Sequence, residues 1–203
     1  PAPGGLLGSV GVNTDFAPTT SYAQAHYADA GSGTMYDAGR YAVGFNPNNL
    51  HEFWADWSGN TTPTLFINGF VGTENQQVWG KTVQTEPCTT PGSNVSFTFS
   101  ANAANIVDPQ YIAEFDDGGL ISVTINGTEI GSANLSGTSA EATISITGLA
   151  PVSDGTLDVV IWNNGKAYSG NDFGISNLSL VQNGTCLPPC VETEDAHQWF
   201  NFD

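Results

Sequence analysis

A strict period of two in the apolar residues restricts this chain to strands rather than helices. Ile121, Val123 and Ile125 alternate with Ser122 and Thr124, and other runs of the sequence alternate in the same way. Successive side chains of a strand point to opposite faces, so this pattern is typical of antiparallel strands that cover a core with one face. The other runs lie at residues 95–99, 144–146 and 157–161.

Turn-forming residues separate these runs at short intervals. Asn126-Gly127 and Asn164-Gly165 are pairs that tolerate the positive φ of a tight hairpin turn. Further strands are predicted between such turns, at residues 40–45, 64–70, 76–84 and 172–181. About eight or more short strands predict an all-β fold, a single antiparallel β-sandwich of the jelly-roll type.

The chain divides into three predicted segments. Residues 1–12 form an N-terminal leader, 13–182 form the jelly-roll sandwich, and 183–203 form an acidic, aromatic tail that contains cysteine and proline. An apolar, β-prone stretch of the leader is formed by Leu6, Leu7, Val10 and Val12. Such a stretch is either the domain's own first strand or a donor strand that completes the sheet of a neighbouring copy.

Basic residues are nearly missing, and this excludes several classes of partner. The chain has Lys+Arg 3 against Asp+Glu 20 and a formal net charge of -17. Nucleic-acid binding and attraction to anionic lipid both need clusters of basic side chains, so neither is expected. No run of 18 apolar residues is present either, so no membrane insertion is predicted. The first residue is Pro1 rather than methionine, and we expect a processed, secreted protein in an extracellular or cell-surface setting.

Several sequence motifs resemble those of a known group of domains. In chain order they are 41–44 (YAVG), 46–51 (NPNNLH), Trp54, 67–69 (ING), 77–83 (QVWGKTV), 122–126 (SVTIN), 169–175 (SGNDFGI) and 178–180 (LSL). Over residues 36–182 the sequence resembles the galactose-binding-like, carbohydrate-binding-module-type jelly rolls of secreted bacterial proteins. The SGNDFGI stretch is the most specific part of this resemblance.

The resemblance implies a β-sandwich that works outside the cell, often with sugar binding and a structural calcium ion. Asp172, in the most specific motif, is the candidate metal ligand, and no cofactor other than this calcium is expected. Two features depart from the family's pattern. Ser176 and Asn177 stand where related domains usually carry acidic residues, and no acid precedes Asp15 in the leader.

No recognisable catalytic motif is present in the sequence. The histidines are His26, His51 and His197, and none of them belongs to a nucleophile or zinc motif. We expect His51 to serve in structural hydrogen bonding. Acids that could be paired for glycoside hydrolysis are Glu52, Asp56, Asp116 and Asp117, but sequence spacing cannot supply the carboxylate separation that this reaction needs. We expect them in turns and on the surface. The chain is therefore predicted not to be an enzyme.

Tryptophans on the surface would give the chain a means of binding sugars. A sugar ring stacks its C–H face on an indole, and amide side chains at the rim supply hydrogen bonds. The candidate carbohydrate-binding residues are Trp162, Trp79, Trp57 and Asn163. Trp162 is the leading candidate because it alternates with Ile161 and should face away from the core. The alternative for each tryptophan is that it fills the sandwich or covers its edge.

Covalent cross-links and glycans are also expected in a secreted chain. The cysteines are Cys88, Cys186 and Cys190, an odd number that leaves one thiol free or paired between molecules. A disulfide from Cys88 to either Cys186 or Cys190 is favoured, and the sequence leaves the choice open. The predicted N-glycosylation acceptors are Asn60, Asn94, Asn126, Asn134, Asn177 and Asn183.

Two functions are consistent with these features. The first is a non-enzymatic extracellular structural protein whose copies assemble into a filament, tube or matrix by strand addition through the leader. The scarcity of lysine, a usual guard of open sheet edges, favours such pairing between copies. The second is a carbohydrate-binding module or lectin-like adhesin that binds extracellular glycans through exposed tryptophans.

Overall fold

Two β-sheets packed face to face form the fold. A computed structural model describes residues 34–69, 75–84, 94–108, 110–111, 119–135, 140–152, 156–165 and 171–183, together with the backbone of 5–6 and 28–29. Within these residues the strands pair antiparallel apart from one short parallel pair. The predicted all-β sandwich is confirmed. None of the helical structure in this part of the chain is long and apolar enough to cross a membrane.

The larger sheet contains seven strands. Six of them follow one another in the order β2 (Ala28–Asp29), β3 (Arg40–Gly44), β4 (Thr64–Asn68), β11 (Phe173–Asn183), β6 (Asn94–Asn105) and β9 (Ala142–Pro151). The seventh, β1 (Gly5–Leu6), pairs antiparallel with Val181 and Gln182 at the far end of β11. The leader therefore contributes Leu6 to the chain's own sheet, whereas Leu7, Val10 and Val12 lie outside the described residues.

The smaller sheet contains four strands, in the order β5 (Gln76–Gln84), β10 (Thr156–Asn163), β7 (Leu120–Ile125) and β8 (Thr128–Asn134). A tight turn joins β7 to β8, and its residues Asn126 and Gly127 have φ of 50° and 76°. This is the backbone that the Asn-Gly pair predicts. Strand β8 itself was missed in the sequence, because Ile130 is its only buried residue and no alternation is visible.

The main core lies between the sheets and is built from alternate residues of each strand. Phe97 and Phe99 of β6 pack in one cluster with Ile121, Val123 and Ile125 of β7, and all five side chains are fully buried. Burial of an apolar side chain of this size stabilises the fold by about 1.5–3 kcal/mol. The strand period read from the sequence is therefore the pattern that fills this core.

A second apolar cluster lies on the outer face of the larger sheet. Phe66 of β4 points to this face because its neighbours Leu65 and Ile67 belong to the main core. The buried members of the cluster are Met35, Ala42, Trp54, Phe66 and Ile106. The connection between β3 and β4, which includes a 3-10 helix at Pro47–Asn49, supplies Trp54 and is thereby packed onto the sheet.

The structure corrects the expected surface placement of two residues. Trp79 is 2% exposed, because a β-bulge opposite Ile161 and Trp162 interrupts the alternation of β5 and buries both Val78 and Trp79. Asn163 is fully buried, since it lies on the same side of β10 as Ile161. Trp162 faces away from the core, as its alternation with Ile161 predicts, and it is partly exposed.

One of the few basic residues guards the open edge of the smaller sheet. In the described residues β5 pairs with β10 alone. Lys81 lies opposite Val159, on the side of β5 that faces the core, and is nevertheless exposed at the edge. A lysine in such a position disfavours the addition of a further strand. The low lysine content therefore does not leave this edge unguarded, and the composition argument for pairing between copies does not apply to it.

Candidate functional site

An open groove lies where β6 ends and β9 begins. Its volume is about 530 Å³. Its walls come from three separate segments and are formed by Ala55, Asp56, Trp57, Asn60, Asp108, Ala140 and Glu141. The first four belong to the connection that is packed on the second apolar cluster, whereas Asp108 follows β6 and the last two precede β9. The groove thus combines an indole, an amide and three carboxylates.

The side chain of Asn46 sets the conformation of the longer wall. Its Oδ1 accepts hydrogen bonds from the backbone N–H of Asn48 at 3.1 Å and of Trp57 at 3.0 Å. Its Nδ2 donates to Asp56 Oδ1 at 2.6 Å. Asn46 is also the N-cap of the 3-10 helix. One asparagine, a residue that favours such local side-chain-to-backbone bonds, therefore fixes two neighbouring groove residues.

Trp57 is the aromatic wall of the groove. It is partly buried, and its ring centroid lies 5.6 Å from that of Phe66 in the second apolar cluster. This packing holds the indole on one side, while the rest of it lines the groove. A large aromatic ring held in this way can stack against a ligand with little loss of side-chain freedom.

Asn60 closes the loop that carries Trp57. Its Nδ2 donates to the carbonyl oxygens of Phe45 at 3.0 Å and Thr62 at 3.2 Å, and its Oδ1 accepts from the Thr62 N–H at 2.9 Å. Glycosylation would modify the same Nδ2 atom. The predicted glycan at Asn60 would therefore have to replace hydrogen bonds that hold this loop.

The other predicted glycosylation acceptors fall into two groups. Asn126 and Asn183 donate through Nδ2 to Pro151 O at 2.8 Å and Thr98 Oγ1 at 2.7 Å. The acceptors of the second group, Asn94, Asn134 and Asn177, have exposed side chains. Glycosylation stays a prediction at each of these positions.

The three carboxylates of the groove retain capacity to accept hydrogen bonds. Asp56 and Asp108 each accept one backbone N–H, at 2.9 Å, from the residue two positions further along the chain. Glu141 Oε1 accepts the Ser176 hydroxyl at 3.0 Å. Neither of the basic side chains that the structure describes lines the groove. An ionised carboxylate has about four acceptor positions, so each of these groups can still bind a ligand hydroxyl.

Asp172, the candidate metal ligand, is hydrogen-bonded to the connection that forms the longer wall of the groove. Its Oδ1 accepts the Gly69 N–H at 2.8 Å and its Oδ2 accepts the Trp54 indole N–H at 3.0 Å. Burial raises the pKa of Asp172 to about 6, although both donors act in the opposite direction. Calcium binds about six to eight oxygens, and within the described ranges no three acidic, histidine or cysteine side chains gather as a metal site. Both carboxylate oxygens of Asp172 thus accept N–H donors, and a calcium ion at this residue stays a prediction.

His51 takes part in the local structure of the same wall. Its Nδ1 accepts the Phe53 N–H at 3.2 Å, and its ring stacks on that of Trp54 at 5.1 Å. Burial lowers the pKa of His51, whereas the nearby Glu52 carboxylate acts to raise it. The structural hydrogen bond predicted for His51 is confirmed. The other histidines, His26 and His197, and the cysteines Cys88, Cys186 and Cys190 lie outside the described residues.

Trp162 lies on a different surface, the outer face of the smaller sheet. Its indole N–H donates to Thr124 Oγ1 at 2.9 Å. The residues directly opposite it on the neighbouring strands are Gln77 and Ser122. Asn164 Nδ2 in turn donates to Ser122 Oγ at 2.9 Å. The donors around Trp162 are thus bonded to neighbouring side chains, whereas the buried Asn164 Oδ1 has no hydrogen-bond partner in the described residues.

The structure does not bring the four predicted carbohydrate-binding residues together. Trp57 lines the groove, Trp162 lies on the smaller sheet, and Trp79 and Asn163 are buried. Sequence reasoning also missed two groove residues, Asp108 and Glu141. A signal for them exists only once the pairing of β6 with β9 is known, because that pairing brings the end of one strand to the start of the other.

Comparison with solved structures finds several proteins that this chain resembles in fold. The apo form of a cyclase from Fischerella sp. is 13% identical, with a TM-score of 0.53 over 91% of this chain and 99% of the cyclase. The EclA C-terminal domain, a sugar-binding protein, is 16% identical, with a TM-score of 0.42 over 68% of this chain and 88% of that domain. The CBM36-1 domain of a multidomain xylanase, from the hindgut metagenome of Trinervitermes trinervoides, is 14% identical, with a TM-score of 0.37 over 64% of this chain and 84% of that domain.

These likenesses concern the fold alone. The solved structures that this chain resembles include a sugar-binding domain, a carbohydrate-binding module of a xylanase and a cyclase. No protein-family model matches the sequence, and no curated protein matches it either. The fold by itself therefore does not separate a binding protein from a catalyst.

Proposed function

We propose that this protein is a carbohydrate-binding β-sandwich that holds a glycan in the groove beside Trp57. The observation that carries this proposal is the presence, in one open groove, of a partly exposed indole and three carboxylates. A sugar offers the matching chemistry, since its C–H face stacks on an aromatic ring and its hydroxyls donate to carboxylate oxygens. Asn60, held by its own hydrogen bonds, completes the polar part of the wall.

Binding without catalysis is part of the proposal. In the part of the groove that the structure describes, the lining residues include no histidine, cysteine, serine or threonine. Nucleophilic catalysis by an activated hydroxyl or thiol needs such a residue beside a base. The one catalytic mechanism that these lining residues leave open is glycoside hydrolysis by a pair of carboxylates. An assay for sugar release would detect this activity. An extracellular setting belongs to the same proposal, because polysaccharides are found there.

Self-assembly into a filament has less support. Gly5 and Leu6 pair with the chain's own β11, and Lys81 guards the open edge of the smaller sheet. Each copy also carries a formal net charge of -17, so close packing of copies works against electrostatic repulsion. The donor-strand hypothesis has no described contact in its favour.

The proposal can be tested by affinity electrophoresis in gels that contain soluble polysaccharides, such as xylan, galactan and a mixed-linkage glucan. We expect at least one of them to retard the wild-type protein and to retard the Trp57→Ala variant less. Reducing-sugar assays on the same polysaccharides should show no release of sugar. Migration unaffected by every polysaccharide would contradict binding, and release of reducing ends would contradict the non-enzymatic part.

A further inference from the structure

Exposed aromatic side chains are concentrated next to the groove. Four large hydrophobic side chains are exposed in the described residues, and three of them are aromatic: Tyr36 at 53%, Phe45 at 52% and Phe53 at 40%. All three belong to the stretch around the connection between β3 and β4, which also forms the longer wall. The fourth, Leu149, is isolated on β9. A cluster of exposed apolar groups marks an interaction surface more often than a single one does.

Tyr36, His51, Phe53 and Tyr111 form a continuous aromatic strip. The centroid of the His51 ring lies 4.7 Å from that of Tyr36 and 5.5 Å from that of Phe53. Phe53 in turn meets Tyr111 edge-on at 5.0 Å. The strip is held in place because His51 stacks on the buried Trp54. It is therefore a preformed surface rather than a set of independent side chains.

The aromatic strip is continuous with the groove through Asp108. The Asp108 N–H donates to the Phe53 carbonyl oxygen at 2.9 Å, and the Asp108 carbonyl oxygen accepts the Tyr111 N–H at 2.8 Å. The same residue lines the groove. Residues 53–55 pair antiparallel with residues 106–108 around a bridge between Trp54 and Val107. Ala55, two positions after Phe53, also lines the groove. A chain-like ligand that leaves the groove past Asp108 would therefore reach Phe53 and Tyr111 before His51 and Tyr36.

We propose that the aromatic strip binds further units of the glycan held in the groove, so that the preferred ligand is an oligosaccharide or polysaccharide chain. This inference rests on the proposed function. The groove can hold the first units, and the aromatic strip extends over three successive ring contacts beyond them. Each additional stacked ring should raise the affinity by about threefold to tenfold.

Charge favours a glycan over a second copy of the chain on this surface. The aromatic strip is flanked by carboxylates, with Asp37 next to Tyr36, Glu52 next to Phe53 and Asp108 at the groove. A second copy would bring another surface from a chain with a formal net charge of -17. Burying the strip between two such surfaces would force like charges together. A glycan without charge avoids this repulsion, and its hydroxyls can donate hydrogen bonds to the flanking carboxylates.

Isothermal titration calorimetry with disaccharides and hexasaccharides of the xylo-, galacto- and cello- series tests this inference. For the series that binds, we expect the hexasaccharide to bind about tenfold more tightly than the disaccharide. Tyr36→Ala and Phe53→Ala should each reduce hexasaccharide affinity by about threefold or more and leave disaccharide affinity unchanged. Leu149→Ala is the matched control, an exposed apolar side chain outside the strip, and should change neither affinity.

The outcomes separate this inference from the proposed function. Equal affinity for both lengths, or variants of the aromatic strip that bind hexasaccharide like the wild type, would overturn the extension and leave binding in the groove intact. Absence of binding to any saccharide would overturn both. Light scattering on the same samples measures the oligomeric state and so tests whether a second copy of the chain binds to the aromatic strip. A wild-type dimer that Tyr36→Ala converts to monomers would identify the strip as an interface between copies and overturn the extension.

Discussion

The two tryptophans that are partly exposed in the described residues, Trp57 and Trp162, lie in contrasting surroundings. Around Trp162, on the strands of the smaller sheet, the indole N–H is bonded to Thr124 and the amide of Asn164 to Ser122. Around Trp57, on a connection outside the sheets, the neighbouring groups are carboxylates that accept few protein donors. Exposure of an aromatic ring therefore does not by itself identify a binding site. The feature that distinguishes the groove is its three carboxylates with spare acceptor positions, because the unpaired acceptor near Trp162, Asn164 Oδ1, is a buried amide oxygen.

The contrast extends to the way each surface is supported. The surface around Trp162 is part of a sheet, whose backbone hydrogen bonds to two neighbouring strands hold it in spite of the bulge in β5. The wall around Trp57 depends on the side chains of Asn46 and Asp172. Substitutions of those side chains should therefore affect the groove far more than equivalent substitutions affect the smaller sheet.

The largest expected effect comes from the ionisation of Asp172. Its pKa of about 6 in the folded protein lies above its ordinary value of 3.8, so folding is favoured by protonation of this group. The contribution to stability is fully present below about pH 3.8, the unfolded value, and is lost as the pH rises through about 6. It amounts to at most about 3 kcal/mol.

Urea unfolding of the wild type and of Asp172→Asn, followed across this pH range, measures that contribution. The wild type should gain stability relative to the variant on acidification, because only the wild type titrates at this position. Comparison with the variant removes the effect of the other acidic residues, which both proteins share. A difference between the two proteins that does not change with pH would show that the buried carboxyl has an ordinary pKa.

Loss of the Asn46 side chain should come next in size. Asn46→Ala removes the hydrogen bonds to the Trp57 N–H and to Asp56, and we expect the free energy of unfolding to fall by about 1–3 kcal/mol. Glycan affinity should fall by about tenfold or more, because both groove residues lose their position. Asn164→Ala is the matched substitution near Trp162 and should leave affinity unchanged. Equal effects of the two variants on affinity, measured by calorimetry, would remove the distinction between the surfaces.

Removal of single charges in the groove should have a moderate effect. Glu141→Gln keeps the shape of the side chain and an oxygen that can accept the Ser176 hydroxyl. We expect affinity for the glycan to fall by about threefold to tenfold, since a neutral acceptor forms weaker hydrogen bonds than a carboxylate. Asp108→Asn should behave alike. Calorimetric affinities equal to that of the wild type for both variants would mean that the carboxylates do not contact the ligand.

The smallest expected effect belongs to the smaller sheet. Thr124→Val removes the acceptor of the Trp162 indole N–H, and the free energy of unfolding should fall by about 1 kcal/mol. Glycan affinity should not change. A denaturation curve and one binding isotherm for this variant suffice, and a loss of affinity would indicate that the Trp162 surface takes part in binding.

Much of the fold could be predicted from the sequence, because alternation reports which side of a strand is buried. The spacing of turn residues predicts β5 with the bounds Gln76–Gln84, and alternation with Ile161 predicts the outward direction of Trp162. Strict alternation fails at Trp79, where a β-bulge buries two successive residues, since nothing in the sequence marks the extra residue. Asn163 stands two positions after Ile161, so alternation places both side chains on the same, inward face of β10. Its polar amide suggested a surface role instead, and the structure follows the alternation.

The groove was less accessible to prediction than the sheets. Trp57 could be proposed from its residue type, but Asp108 and Glu141 reach the groove only through the pairing of β6 with β9. The hydrogen bonds that hold the wall join Asn46 to Trp57, 11 residues apart, and Asp172 to Trp54, 118 residues apart. Contacts between residues far apart in the sequence leave no periodic pattern by which they could be predicted. Sites on connections are therefore harder to find in one sequence than the strands that carry them.

One measurement tests the central claim most directly: calorimetric titration of a single glycan into Trp57→Ala and Trp162→Ala. Trp57→Ala should lose affinity by about tenfold or more, because it removes the aromatic wall of the groove. Trp162→Ala should stay within about twofold of the wild type. The opposite ranking, with affinity lost in Trp162→Ala and kept in Trp57→Ala, would contradict the account and move the binding site to the smaller sheet.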